Sequence, residues 1–289
     1  MYRVWRAGHR KGDLRKSILM PAIQPARLKI QVAQLASFYD QPQAFVHELH
    51  TLLDFYADRT YRPGQVGKRA MLVRAYMIPD PVLRQITQEI IPLASERTGD
   101  ETSQAALQLC QALWEQAYLE FRQLAARLLG AIRPAPAIFI LTMLDAWIQT
   151  NPEDGILRTV LEQATTRLRR EASIPYIKLI ETWLHATGRQ VRQAGLRALL
   201  PLIDDPKFEN LPAVFGLLSP WVRAAPSELR PDVLAALTAL GHRSPAETAH
   251  FLLENLTTPE HPDTHWMIRQ VLGEFPVAIQ ANLRKAIRS

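Results

Sequence analysis

Three stretches decide the fold: FRQLAARLLGAI at residues 121–132, VRQAGLRALLPLI at 191–203 and IRQVLGEFPVAI at 268–279. Each sets an apolar residue before Arg-Gln and then returns apolar residues at the three- and four-residue steps of a helix face. They lie about two units apart, and LRQITQEI at 83–90, LRTVLEQA at 157–164 and LRPDVLAAL at 229–237 fill the gaps. The result is one arginine per unit at positions 84, 122, 158, 192, 230 and 269, spaced 34 to 39 residues apart. That period is what two packed helices and their turns occupy in HEAT-like arrays. The expected fold is therefore all-α: an α-α superhelix of the HEAT/ARM-like solenoid kind, with about six to seven helical pairs. One helix of each pair should line a concave working face.

The surroundings agree. Only 12 glycines occur in 289 residues, with no alternating β-branched runs closed by Asn-Gly or Asp-Gly turns. Most of the 21 prolines mark segment edges, as in Asp80-Pro81, Arg133-Pro134, Asn151-Pro152, Ala225-Pro226 and Ser244-Pro245. The segments between are about 12 to 18 residues long, the length of ordinary helices. No linker divides the chain beyond its start, so residues 28–289 read as one solenoid. Residues 1–27 read as a partly flexible basic arm, because Arg3, Arg6, Arg10, Lys11, Arg15 and Lys16 face a single Asp13.

With 34 Lys and Arg against 28 Asp and Glu the net charge is +6, and Arg far outnumbers Lys. A mild basic excess is compatible with phosphate contacts and equally with a protein that never meets nucleic acid. No stretch approaches the ~20 apolar residues that cross a bilayer, and the charged start does not read as a secretory leader. A cytoplasmic monomer with no membrane contact is the expectation. Cys110, alone in AALQLCQALW, reads as core.

No phosphate loop, Gly-x-Gly-x-x-Gly, His-Glu-x-x-His or Cys-x-x-Cys is present, so no metal and no cofactor are expected. The arginine series is the informative polar feature. One cation per unit along a concave face would track a phosphate backbone, whereas an arginine bridging to an acid of the next repeat would be structural. Arg189 and Arg197 beside Arg192, and the cluster Arg167, Arg169 and Arg170, are surplus to such a ladder and are the better ligand candidates. Tryptophans at helical spacing usually pack in the core. Trp147 is the one placed to stack on a base instead, a few residues ahead of Glu153 and Asp154. Those two carboxylates fit either stabilisation of a developing cationic sugar or the positive first turn of the helix after Pro152.

YMIPDPVLRQITQEI (76–90) followed by LWEQAYLEFRQLAARLLGAI (113–132) resembles the DNA alkylation repair family of HEAT-like-repeat DNA glycosylases. The matching positions are Ile78, Pro79, Pro81, Leu83 and Arg84, then Leu113, Trp114, Glu120 and Phe121. A looser likeness runs from about residue 30 to the end, with 183–203 similar to the next repeat. The resemblance implies a base-excision-repair solenoid that holds duplex DNA on a basic concave face and releases cationic purines such as 3-methyladenine or 7-methylguanine. Its catalytic segment is aromatic-Asp-x-x-Asp, where this chain has Thr150-Asn151-Pro152-Glu153-Asp154. Asn151 falls on the catalytic Asp and Thr150 on the aromatic, which leaves Asp154 and Glu153 as the carboxylates available. An amide supplies no full charge for an oxocarbenium-like centre and Thr supplies no ring. The resemblance maps a DNA-contacting arginine onto Arg189 or Arg192; the arginine register and the tryptophan reading add Arg122, Arg158 and Trp147 as expected DNA contacts, and the missing Asp counts against glycosylase activity. The alternative is a non-catalytic HEAT-repeat scaffold for a protein partner.

Overall fold

The computed structural model describes residues 24–57, 74–96, 100–150, 152–256 and 262–287. The basic arm up to residue 23 and Asn151 lie outside the described residues. Among those described no strand forms, and Arg74 and Tyr118 make an isolated bridge. In chain order the helices are α1 (Pro25–Ala36), α2 (Pro42–Tyr56), α3 (Asp80–Glu96), α4 (Asp100–Trp114), α5 (Leu119–Ala131) and α6 (Ala137–Gln149). Then come α7 (Asp154–Thr159), a π-helical segment (Val160–Ala164), α8 (Thr166–Glu171), α9 (Ser173–Leu184), α10 (Arg189–Ala198) and α11 (Leu200–Ile203). The chain closes with α12 (Leu211–Arg223), α13 (Arg230–Arg243), α14 (Pro245–Leu256), α15 (Pro262–Val271) and α16 (Val277–Ala286). No helix here is long and apolar enough to cross a membrane.

Proline opens many of these helices, at the first turn of α1, α2, α12 and α13, where its missing N–H costs nothing. Pro92 and Pro220 depart from this pattern and sit inside α3 and α12.

The helices form two layers. In the first, α1 packs on α3, α3 on α5, α5 on α7 and the π segment, that segment on α10, α10 and α11 on α13, and α13 on α15. In the second, α2 packs on α4, α6 on α9, α9 on α12, α12 on α14 and α14 on α16. Contacts between α1 and α2, α4 and α5, α9 and α10, and α13 and α14 join the layers. This is an all-α helical-repeat superhelix. One continuous buried cluster runs from Leu28 to Leu283, because a single helical pair cannot cover its apolar face and must stack on the next.

The expected register survives in full. Arg84, Arg122, Arg158, Arg192, Arg230 and Arg269 lie on α3, α5, α7, α10, α13 and α15, all in the first layer. Tryptophans tie the second layer together. The rings of Trp114 (α4) and Trp147 (α6) stack with centroids 4.3 Å apart, Trp147 Nε1 donates to Gln111 Oε1 at 3.5 Å, and Trp183 Nε1 (α9) donates to Asp145 Oδ1 at 2.8 Å. Where α5 crosses the π segment, Gly130 is required. A β-carbon there would overlap the Gln163 carbonyl oxygen and stand 2.9 Å from the carbonyl carbon.

Candidate functional site

The six register arginines have different fates. Arg84, Arg158 and Arg269 are exposed, while Arg122, Arg192 and Arg230 are half-buried. Arg122 lies over the Trp114 ring at 5.2 Å and its Nε donates to the Trp114 carbonyl at 3.4 Å. Arg230 donates to Asp263 at 2.7 Å, reaching from α13 to α15, and covers the Trp266 ring. That is the bridge to an adjacent-repeat acid that the sequence offers as the structural reading. Among the described residues Arg192 makes no such bridge, and its buried Nε has no hydrogen-bond partner there.

The cluster at 167–170 is largely committed to structure, contrary to its reading as surplus cations for a ligand. Arg167 Nη1 donates to the Ala131 carbonyl at 3.0 Å and its Nε pairs with Glu171 at 2.6 Å. Arg169 Nη1 donates to the Leu161 and Glu162 carbonyls at 3.2 and 3.1 Å and to Thr165 Oγ1. A π segment disturbs the regular i to i−4 ladder, and Arg169 gathers carbonyls from it. Burial holds the Arg169 guanidinium below its usual pKa, with Tyr176 and Asp205 acting the other way. Arg170 Nε reaches Asp205 Oδ2 at 3.4 Å and is half-exposed. Arg189 opens α10, exposed, after the extended Gly188.

A cleft of about 1120 Å³ opens between α7, the π segment, α8, α10, α11 and α13. Its cationic walls are Arg158, Arg169, Arg170 and Arg197, and its acids are Asp154, Glu162, Asp204, Asp205 and Asp232. Among the described residues no aromatic side chain lines it. Arg197 is the hub. Its Nη1 donates to Asp154 Oδ1 at 2.9 Å and its Nε to Asp232 Oδ1 at 2.7 Å, while Gln193 Nε2 holds Asp232 Oδ2 at 2.8 Å. Burial opposes the Arg197 charge, yet the bonds to Asp232 and Asp154 outweigh it and hold the guanidinium above its usual pKa.

The two bonds are unequal in setting. The Asp232 side chain is 11% exposed and doubly bonded, whereas Asp154 is 73% exposed. An ion pair so open to water contributes about 0–1 kcal/mol. Asp205 is fixed independently, since the Lys207 backbone N–H donates to it at 3.0 Å. That bond lowers its pKa against the opposing effect of burial, with Arg170 adding to the lowering.

Of the expected site residues, Asp154 and Arg158 line this cleft. Glu153, Arg122, Arg189, Arg192 and Trp147 do not. Glu153 is the half-buried residue before α7. Trp147 is 1% exposed and face to face with Trp114, so its ring is core and not a platform for a base. Among the described residues no group of His, Cys, Asp and Glu could hold a metal ion. Sequence reasoning missed Gln193 and Asp232. The signal was there, since Asp232 follows Arg197 by 35 residues, one repeat.

Charge is unevenly divided between the layers. Without α8, which packs on both α5 and α9, the first-layer helices carry twelve Lys and Arg against eight Asp and Glu. The second-layer helices carry four against eight. The modest net charge of the whole chain conceals a basic layer backed by an acidic one.

A family model described as DNA alkylation repair enzyme matches residues 68–271, well over half of the chain. No curated protein matches it.

Proposed function

Because the chain belongs to the DNA alkylation repair enzyme family, we propose that it is a HEAT-like-repeat protein that binds duplex DNA on its arginine-bearing first layer. The segregation of charge carries this reading. A polyanion is drawn to the layer with the cationic surplus and repelled by the other. The exposed Arg84, Arg158, Arg189 and Arg269 are among the cations on that layer that can meet phosphates, and Arg192 is half-buried on the same layer. Phosphate contacts of this kind release counterions. About six of them would cost roughly a thousandfold in affinity between 50 and 200 mM salt.

Base release is the weaker part of the reading. A glycosylase of cationic purines needs negative charge near the sugar and gains from a ring over the base. Of the five carboxylates in the cleft, Asp154 is the one expected to act, but Arg197 neutralises it. Among the described residues the cleft offers no ring. The reading is therefore binding within the repair family's architecture, with slow or absent excision of 3-methyladenine or 7-methylguanine.

Fluorescence anisotropy with a labelled duplex across a salt series tests the binding, and no binding at 50 mM salt would overturn it. Release of methylated purine from alkylated DNA tests the chemistry. Rapid release that is lost in Asp154→Asn would overturn the judgement on excision. The exposed Ile138, Phe139 and Ile174 (60%, 59% and 67%) at the starts of α6 and α9 favour a second reading, a protein-binding scaffold. Duplex binding that is absent at every salt concentration would favour it.

A further inference from the structure

The cleft presents a puzzle for a DNA-binding surface. Its four arginines stand among five carboxylates, so as it stands it repels a phosphodiester as much as it attracts one. The carboxylates differ in how firmly they are held. Asp205 is fixed by the Lys207 N–H and by Arg170. Asp232 is nearly buried and bonded by both Gln193 and Arg197. Of the two acids bonded to Arg197, Asp154 is the loosely held one, a largely exposed side chain on the first residue of α7.

We propose that Arg197 is a phosphodiester-binding residue held in reserve, whose outer edge is occupied by Asp154 in the free protein and passes to a DNA phosphate on binding. This rests on the duplex-binding reading above. The guanidinium is built for such an exchange. Asp232 and Gln193 orient it through Nε, on the buried side, and that anchor is kept. The planar fork then offers the Nη1 edge to whichever anion is in the cleft, and phosphate accepts such an edge as well as a carboxylate does. The exposed bond to Asp154 is the cheap one to give up. Arg158 is exposed in the same cleft and adds a second cation for the same backbone. The exchange has a consequence for the carboxylate. Asp154 carries its full uncompensated charge in the cleft only while DNA holds Arg197.

Removing the acid ion-paired with Arg197 should tighten DNA binding through that arginine. The isosteric Asp154→Asn should raise duplex affinity several-fold, because Arg197 then meets the phosphate without first giving up an ion pair. Arg197→Gln should weaken binding and flatten the slope of log K against log salt. The double variant should match Arg197→Gln, because without the guanidinium there is nothing to release. Glu181→Gln on the second layer makes the same change in net charge and should leave affinity within about twofold. Circular dichroism checks folding, which matters most for Arg197→Gln since it leaves Asp232 without its cation; the Asp154→Asn and Glu181→Gln comparison stands without it.

Equal gains from Asp154→Asn and Glu181→Gln would overturn the proposal, as would a gain that persists without Arg197. Duplex binding by the wild type with no gain in Asp154→Asn overturns the exchange alone. No binding by either protein overturns the duplex-binding reading and the exchange together.

Discussion

Gly130 and Gln163 meet backbone to backbone where α5 crosses the π segment, so closely that the glycine has no room for a β-carbon. The neighbouring atoms are a peptide group and not the end of a flexible side chain, so they cannot step aside. Gly130→Ala should cost at least about 1–3 kcal/mol, the usual penalty for overpacking, read as a lower urea midpoint. Gly216, exposed in α12 with nothing near its missing β-carbon, gives the opposite result. Gly216→Ala should stabilise by about 0.5–1 kcal/mol through helix propensity. If the two variants melt alike, the close crossing is wrong.

Trp147 and Arg158 separate fold from ligand. Trp147→Ala removes a buried ring stacked on Trp114 and should cost about 3–5 kcal/mol, while the salt slope of duplex binding stays as in the wild type. Arg158→Gln should leave the melting temperature unchanged, weaken duplex binding, and reduce the salt slope by about 1. A changed slope in folded Trp147→Ala would return that ring to the interface.

Asp205 sets an acid limit on stability. Its pKa lies below the ordinary carboxylate value because of the Lys207 N–H, helped by Arg170. A depressed folded-state pKa adds stability that is present above the unfolded value of about 3.9 and is lost as pH falls through the folded one. Asp205→Asn should therefore be less stable than the wild type at pH 6. The gap should close as the buffer is taken below pH 4, measured by thermal melts at each pH.

Cys110 is fully buried in α4, and burial pushes its thiol well above the usual range. Thiolate is the reactive form. A thiol reagent should label no cysteine in the native protein at pH 8 and one per chain in 6 M guanidinium. Stoichiometric labelling of the native state would place Cys110 at the surface.

The legible and the hidden parts divide along a physical line. Helix faces repeat every three to four residues, so the helical class, the two-helix period and the arginine register were open to inspection of Phe121 to Ile132 and its echoes. Cys110 as core followed from its immediate neighbours in the same way. The reading of Arg167 and Arg169 as surplus cations did not foresee their acceptors, the backbone carbonyls of Ala131, Leu161 and Glu162, which no side-chain pattern reveals. The π segment that presents two of those carbonyls was equally hidden.

What the sequence by itself determined was the period, the helical layering it implies and the family likeness carried by Tyr76 to Ile90 and Leu113 to Ile132. The tertiary structure alone decided which charges remain available. Arg230 is spent on Asp263, Arg197 is shared by Asp154 and Asp232, and Arg158 is free in the cleft. The reason is distance along the chain. A helix face is written in neighbours three and four residues away, whereas an ion pair between stacked repeats joins residues 33 to 43 positions apart, and only packing brings those together.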